Sequence, residues 1–99
     1  MIKSRRVAIT GIGLITPLGI GKEQNFDALF EGRSGISRIT KFDPSALNSQ
    51  IAGEVKNFNP QGYLSIKECK RMDLFCQYAV CAAKMALQDS GFEIKENNA

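Results

Sequence analysis

The stretch "VAITGIGLITPLG", Val7 to Gly19, decides how the rest of the chain is read. An apolar run ends in Gly11-Ile12-Gly13 and a helix-like segment follows, which is how a dinucleotide-binding loop begins. That fingerprint needs a third glycine three residues after the second, where the helix packs on the strand. Thr16 stands there instead, and Pro17 after it biases Thr16 toward extended backbone. Helical patterning resumes only at Lys22, too far along to aim a helix N-terminus at a phosphate held by Gly11 and Gly13. No strand ending in an acidic ribose ligand follows about 20 residues on. The stretch therefore reads as a buried strand followed by a glycine-bearing turn.

Working outward, Val7-Ala8-Ile9 leads into Ile12, Leu14 and Ile15 with little polar alternation, as expected of a central strand covered on both faces. Gly19 and Gly21 mark a loop. Lys22 to Glu31 is expected to form a short helix with Phe26, Leu29 and Phe30 on one side, ended by Gly32 in the left-handed region; Arg33-Ser34-Gly35 continues the turn. Asp43-Pro44 has the form of a helix start, with Asp43 as cap, worth one or two turns. Ile51 to Val55 is a candidate short strand and Asn57 to Gly62 a loop. Ser65-Ile66-Lys67-Glu68 is a capping box. A long helix then runs to about Ser90 and stops at Gly91, with a break near Met72-Asp73.

On the wheel of that helix, Asp73, Gln77, Lys84 and Gln88 share one face. Phe75, Ala79, Ala82 and Ala86 form a second stripe, and Cys76, Val80, Ala83 and Leu87 a third. The alanine and cysteine content lets the helix sit close to a neighbour, and the expectation is that Phe75, Ala79 and Ala86 are buried. Cys81 continues the stepping of Gln77 and Lys84 and is expected on the more accessible side.

Composition excludes several classes. The 99 residues allow one small domain, and a 43% hydrophobic fraction is that of a globular chain. A net charge of +3, from 13 basic and 10 acidic residues, does not mark a nucleic-acid binder. Three cysteines in one helical region are no disulfide framework and fit a reducing cytoplasm. Lys3, Arg5 and Arg6 precede an apolar run as in a secretory signal, but Thr10, Gly11 and Gly13 interrupt it and no small-residue cleavage site follows. No stretch approaches the roughly 18 apolar residues of a membrane span. The layout also lacks partners: it has one convincing buried strand, whereas a parallel sheet needs several, with helices on both faces. The expectation is an α/β segment, incomplete on its own, that opens a larger protein.

The motifs "RRVAITGIGLITPLG", "GRSGIS", "FDPS", "IAGEVKNF" and "KRMDLFCQYAVCAAKMALQDSG" occur in order from Arg5 to about Glu96. In them the chain resembles the N-terminal region of the β-ketoacyl-[acyl carrier protein] synthase II family of fatty-acid condensing enzymes. Polyketide ketosynthases resemble it too, less closely in "RMDLFCQYA". The resemblance implies a thiolase-like layered αβαβα fold, of which residues 1–99 would be the first part of a single β-ketoacyl synthase N-terminal domain. It also implies a cytoplasmic homodimer with a much longer chain. In the family an active-site cysteine takes an acyl group from a carrier protein as a thioester. Malonyl-carrier loses carbon dioxide, and the carbanion attacks that thioester while two histidines assist. No organic cofactor is implied beyond the phosphopantetheine arm of the carrier.

This sequence contains no histidine. Cys69, Cys76 and Cys81 all lack the family nucleophile's Thr-Ala-Cys context, and no base accompanies them. No catalytic residue is therefore assigned here. One functional feature remains: Lys67, Lys70 and Arg71 surround Cys69 at the start of the long helix, with Glu68 as a partial offset. The resemblance implies that these three dock the acidic acyl carrier protein, and charge complementarity would speed that encounter. Two other classes stay open on the residues alone. One is a small dinucleotide-binding protein. The other is a non-catalytic module that binds an acidic partner through Lys67 to Arg71.

Overall fold

A computed structural model describes residues 4–96 of the chain. Gly11 and Gly13 lie against the long helix α3, Leu74–Ser90. A Cβ added to Gly13 would fall 1.9 Å from the Ala82 carbonyl oxygen, and one added to Gly11 would fall 2.3 Å from that of Ala86. The paired glycines and the facing alanines are thus the two halves of one close backbone approach. The Ile12 N–H donates to Asp89 Oδ2 (3.0 Å), which fixes the segment along the helix.

The expected strand at Val7 to Ile9 does not form. Val7 and Ile9 are 90% and 85% exposed, and no strand pairs with this segment among the described residues. A strand is defined by its ladder, so an apolar run without a neighbouring strand has nothing to pair with. The regular pairing nearby is instead a tight hairpin, β1 Ile15–Thr16 with β2 Gly19–Ile20, turning at Pro17-Leu18. Thr16 shapes that turn. Its hydroxyl accepts from the Leu18 N–H (3.1 Å) and donates to the side-chain oxygen of buried Asn25. Asn25 in turn donates to the Gly19 and Gly21 carbonyls. The polar side chain at the position of the missing third glycine therefore ties the hairpin to the next helix.

That helix, α1, spans Lys22–Phe30. Gly32 closes it with φ 70°, as its sequence position foretold. The Gly32 N–H reaches the Leu29 carbonyl (3.1 Å) and the Arg33 N–H reaches Ala28 (2.9 Å), the paired bonds of a Schellman end. Asn25 and Ala28 face inward, whereas Phe26, Leu29 and Phe30 face solvent.

The second pairing joins β3 Ile36–Arg38 antiparallel to β4 Ile51–Gly53, with Ser37 opposite Ala52. The intervening loop is held by Glu54, whose buried carboxylate accepts from the Thr40 N–H and hydroxyl and from the Lys41 N–H. Burial pushes the Glu54 carboxyl up, but these donors outweigh it and hold it below the ordinary glutamate range. Asp43-Pro44 starts a single turn and no helix. Asp43 caps Ser45 through both its N–H and its hydroxyl, and the Leu47 N–H returns to the Pro44 carbonyl (2.9 Å). These local bonds satisfy the backbone groups that a helix would have used.

Helix α3 presents a different face from the one its apolar stripes predict. Phe75 is 71% exposed, Ala79 is exposed and Ala86 is half-buried, while Cys81 is fully buried. The described chain meets α3 at Gly11 and Gly13, at the side of Gln77, Cys81 and Lys84, and at Tyr78, which Phe58 contacts. The chain as a whole shows 8144 Å² of surface and a radius of gyration of 17.5 Å. A compact domain of this size would show about 5,600 Å² and about 13 Å. The α/β architecture is present, but its apolar surfaces are largely open.

Candidate functional site: the basic turn

The three cations of the sequence reading come together at α2, Ile66–Lys70, and its C-cap Arg71. Ser65 starts the helix with the capping box its sequence encodes. The Ser65 hydroxyl accepts from the Glu68 N–H (3.1 Å), and the Glu68 carboxylate accepts from the Ser65 N–H (3.1 Å). The Ser65 N–H is the main cause that holds the Glu68 carboxyl below its ordinary range; the Ser65 hydroxyl adds to it, and Lys84 contributes least.

This use of Glu68 has an electrostatic consequence. The acidic side chain expected to offset the local charge is turned onto the backbone at the front of the helix. Lys67, Lys70 and Arg71 are all exposed, and none of them is ion-paired among the described residues. All three lie within about one and a half turns and are rooted on a helix whose start is fixed by two hydrogen bonds.

The turn is held from behind by α3. Gln77 donates from its amide nitrogen to the Cys69 carbonyl (3.2 Å), which also accepts from the Met72 N–H (3.3 Å), and to the Met72 carbonyl (3.1 Å), so it braces the backbone where α2 ends. About two turns further along α3, Lys84 Nζ donates to the Tyr63 carbonyl (2.6 Å), on the loop that leads into α2. Cys81 lies between Gln77 and Lys84 on this face and is covered by the contact; burial is the main cause that pushes its thiol above the ordinary range. A raised thiol is a poor thiolate nucleophile. Phe58 adds an edge-to-face contact with Tyr78, centroids 4.8 Å apart, which anchors the loop from Asn57 to Gly62.

The sequence reading placed Gln77 and Lys84 on a solvated face and Cys81 on its accessible side; both expectations are corrected by this packing. The partners of these side chains are main-chain carbonyls up to 21 residues away, and carbonyls leave no signature in a sequence. Cys69 and Cys76 are half-buried, and all three cysteines are free thiols. Among the described residues no cluster of histidine, cysteine and carboxylate side chains could hold a metal ion, and no helix is long and apolar enough to cross a membrane.

A sequence model of the β-ketoacyl synthase N-terminal domain matches residues 4–99. The chain belongs to the β-ketoacyl synthase family. Among curated relatives of this chain, the 3-oxoacyl-[acyl-carrier-protein] synthase 2 of Synechocystis sp. is 45% identical over 98 residues, and that of Coxiella burnetii is 44% identical over 98 residues. Each alignment covers 99% of this chain and 24% of the relative, so the chain spans about a quarter of the length of the synthases it matches. Among solved structures, the ishigamide ketosynthase/chain length factor superposes with a TM-score of 0.76 at 37% identity, over 91% of this chain and 22% of that one. The thiolase-like class expected from the motifs is thus the class of this synthase segment, and the open surfaces described above are those of part of a larger fold.

Proposed function

We propose that this chain is the N-terminal segment of a fatty-acid condensing enzyme, a 3-oxoacyl-[acyl carrier protein] synthase. That enzyme joins an acyl thioester to malonyl-[acyl carrier protein] with loss of carbon dioxide. The segment's own part is scaffold and recognition. Lys67, Lys70 and Arg71 receive the acidic carrier, which brings the substrate on its phosphopantetheine arm. The nucleophile and the histidines belong to the rest of the enzyme, which acts as a homodimer in the cytoplasm. The observation that carries the docking role is the diversion of Glu68 into the capping box, which leaves three exposed cations without an ion-pair partner. Charges so placed act on encounter rate and orientation more than on stability.

The test is made on the full-length protein containing this segment, with Lys67, Lys70 and Arg71 each changed to Glu. Turnover of carrier-bound substrate should fall while the melting temperature stays nearly unchanged. The loss should shrink at high salt, since exposed charges are screened beyond about 8 Å at physiological ionic strength. Self-acylation from a small acyl thioester, which makes no carrier contact, should be spared. Equal losses on carrier-bound and carrier-free substrate would assign the three residues to fold or chemistry and remove the docking role. The likeness to a ketosynthase/chain length factor supports a second reading with the same docking turn, a polyketide ketosynthase segment. Analysis of the products, a single 3-oxoacyl extension against an iterated poly-keto chain, distinguishes the two.

A further inference from the structure

The fold sorts the three cysteines of this chain into a pair and a single residue. Two hydrogen bonds set α3 against the stretch that leads into and through α2. Gln77 donates to the Cys69 carbonyl (3.2 Å), and Lys84 Nζ donates to the Tyr63 carbonyl (2.6 Å). The later residue of α3 thus meets the earlier residue of the facing stretch, so the two run antiparallel. Cys81 stands between Gln77 and Lys84, one turn beyond Gln77 on the same side of α3. It therefore faces the stretch from Tyr63 to Cys69, and it is fully buried there. Cys69 is the one cysteine of that stretch, and it is half-buried. Burial is the main cause that raises the Cys81 thiol, and Cys69, acting through space, is the next. Cys76 is five residues before Cys81, which turns it about 140° away around the helix.

We propose that Cys69 and Cys81 are a redox-active pair of thiols, which hydrogen peroxide converts to a disulfide bond between α2 and α3. Cys69 meets the oxidant first, because it is partly open to solvent and Cys81 is not. The Cys69 sulfur attacks one peroxide oxygen. The O–O bond breaks, the other oxygen leaves as water with the thiol proton, and Cys69 becomes a sulfenic acid. The Cys81 sulfur then attacks the Cys69 sulfur. The S–S bond forms, the S–O bond breaks, and the hydroxide leaves with the Cys81 proton as a second water. Two thiols lose two electrons and two protons, and one peroxide is reduced to two waters. A raised thiol is a weak nucleophile in solution, but here its target is held beside it. The bond would fasten the short helix that carries Lys67 and Lys70 to α3, where Gln77 already braces it, and a thiol reductant would release it. Both sulfurs belong to this segment, so the pair needs nothing from the rest of the enzyme and does not depend on the docking role of the turn.

The full-length protein containing this segment is treated with hydrogen peroxide, alkylated, digested without reductant and mapped by mass spectrometry. The expected product is a pair of peptides joined through Cys69 and Cys81, lighter by two hydrogens than the free peptides and lost on treatment with dithiothreitol. Cys76→Ser should form the same bridge. Cys81→Ser should form none and should leave Cys69 as a sulfenic acid that dimedone traps. The amides of Glu68 to Arg71 should exchange more slowly in the bridged protein and recover on reduction; unchanged exchange would remove the clamp. The unaltered protein gives the deciding result, so no variant has to fold for the test to work. Oxidation of Cys69 to sulfinic acid with no bridge would show that the two sulfurs cannot meet, and the proposal would fall. A bridge through Cys76, or a Cys69 that peroxide leaves untouched, would overturn it equally.

Discussion

The sharpest quantitative consequence of the fold is at Gly13. An added Cβ there would stand 1.9 Å from the Ala82 carbonyl oxygen, 2.8 Å from the Ala86 nitrogen and 2.9 Å from the Ala82 carbonyl carbon. All three are backbone atoms of α3, so no side chain can swing aside. Real Cβ contacts essentially never fall under 3.0 Å, so the segment and the helix must part by roughly 1 Å or more, which close-packed interiors resist. Gly13→Ala should therefore cost about 3 kcal/mol, at the upper end of the range for overpacking. Gly32→Ala is the informative comparison. Nothing lies within 4 Å of a Cβ at Gly32, and its φ of 70° is the only obstacle. Its cost should be about 1 to 2 kcal/mol, from the left-handed backbone alone. Chemical denaturation of the full-length protein gives both values, and hydrogen exchange should show faster opening of α3 amides in the Gly13 variant only. If Gly13→Ala costs no more than Gly32→Ala, the glycine pair does not serve close helix approach. A fluorescence titration that showed NAD(H) binding lost in the same variant would return the stretch to the nucleotide reading.

Other consequences are simpler. Gln77→Leu removes both donors to the carbonyls at the end of α2 and should cost about 1 to 3 kcal/mol, with the Arg71 and Met72 region losing exchange protection first; unchanged protection there would show that the turn is not held by α3. Because the folded Glu68 carboxyl is depressed, the capping box contributes stability above the unfolded glutamate value of about 4.3 and loses it as pH falls through the lower folded value. A carboxyl-resolved NMR titration should thus find the Glu68 midpoint below that of an exposed glutamate, and a midpoint at or above it would contradict the geometry. The 99-residue chain itself should form no ketoacyl product from acyl-carrier and malonyl-carrier, since it contains no histidine and its buried Cys81 thiol is held protonated. Turnover above a protein-free blank would place chemistry in this segment after all.

Local signals were legible without the fold. The capping box at Ser65 and Glu68, the αL ends at Gly32 and Gly91, and the break before α3 each depend on residues within a few positions of one another. The backbone geometry they encode is the same in any surroundings. The cations of the basic turn were legible for the same reason, since Lys67, Lys70 and Arg71 lie within five residues on one short helix and its C-cap. The ordered motifs from Arg5 to about Glu96 were equally readable, and the family to which they point is the one the chain belongs to.

What the tertiary structure decided is which surfaces meet. The apolar stripe of Phe75 and Ala79 predicted a buried face, yet hydrophobic patterning records only that a face is covered somewhere, and nothing among the described residues covers this one. Val7 to Ile9 has strand composition without a strand, because pairing is a property of two segments and none pairs with it among the described residues. In the opposite sense, Gln77 and Lys84 were read as solvated because a polar side chain looks the same in sequence whether it meets water or a main-chain carbonyl. The G-x-G pattern shows the division most plainly. The sequence read Gly11 and Gly13 as part of a buried strand and the glycine-bearing turn after it, which does not say what lies against them. Only the fold decided that α3, at Ala82 and Ala86, is what approaches.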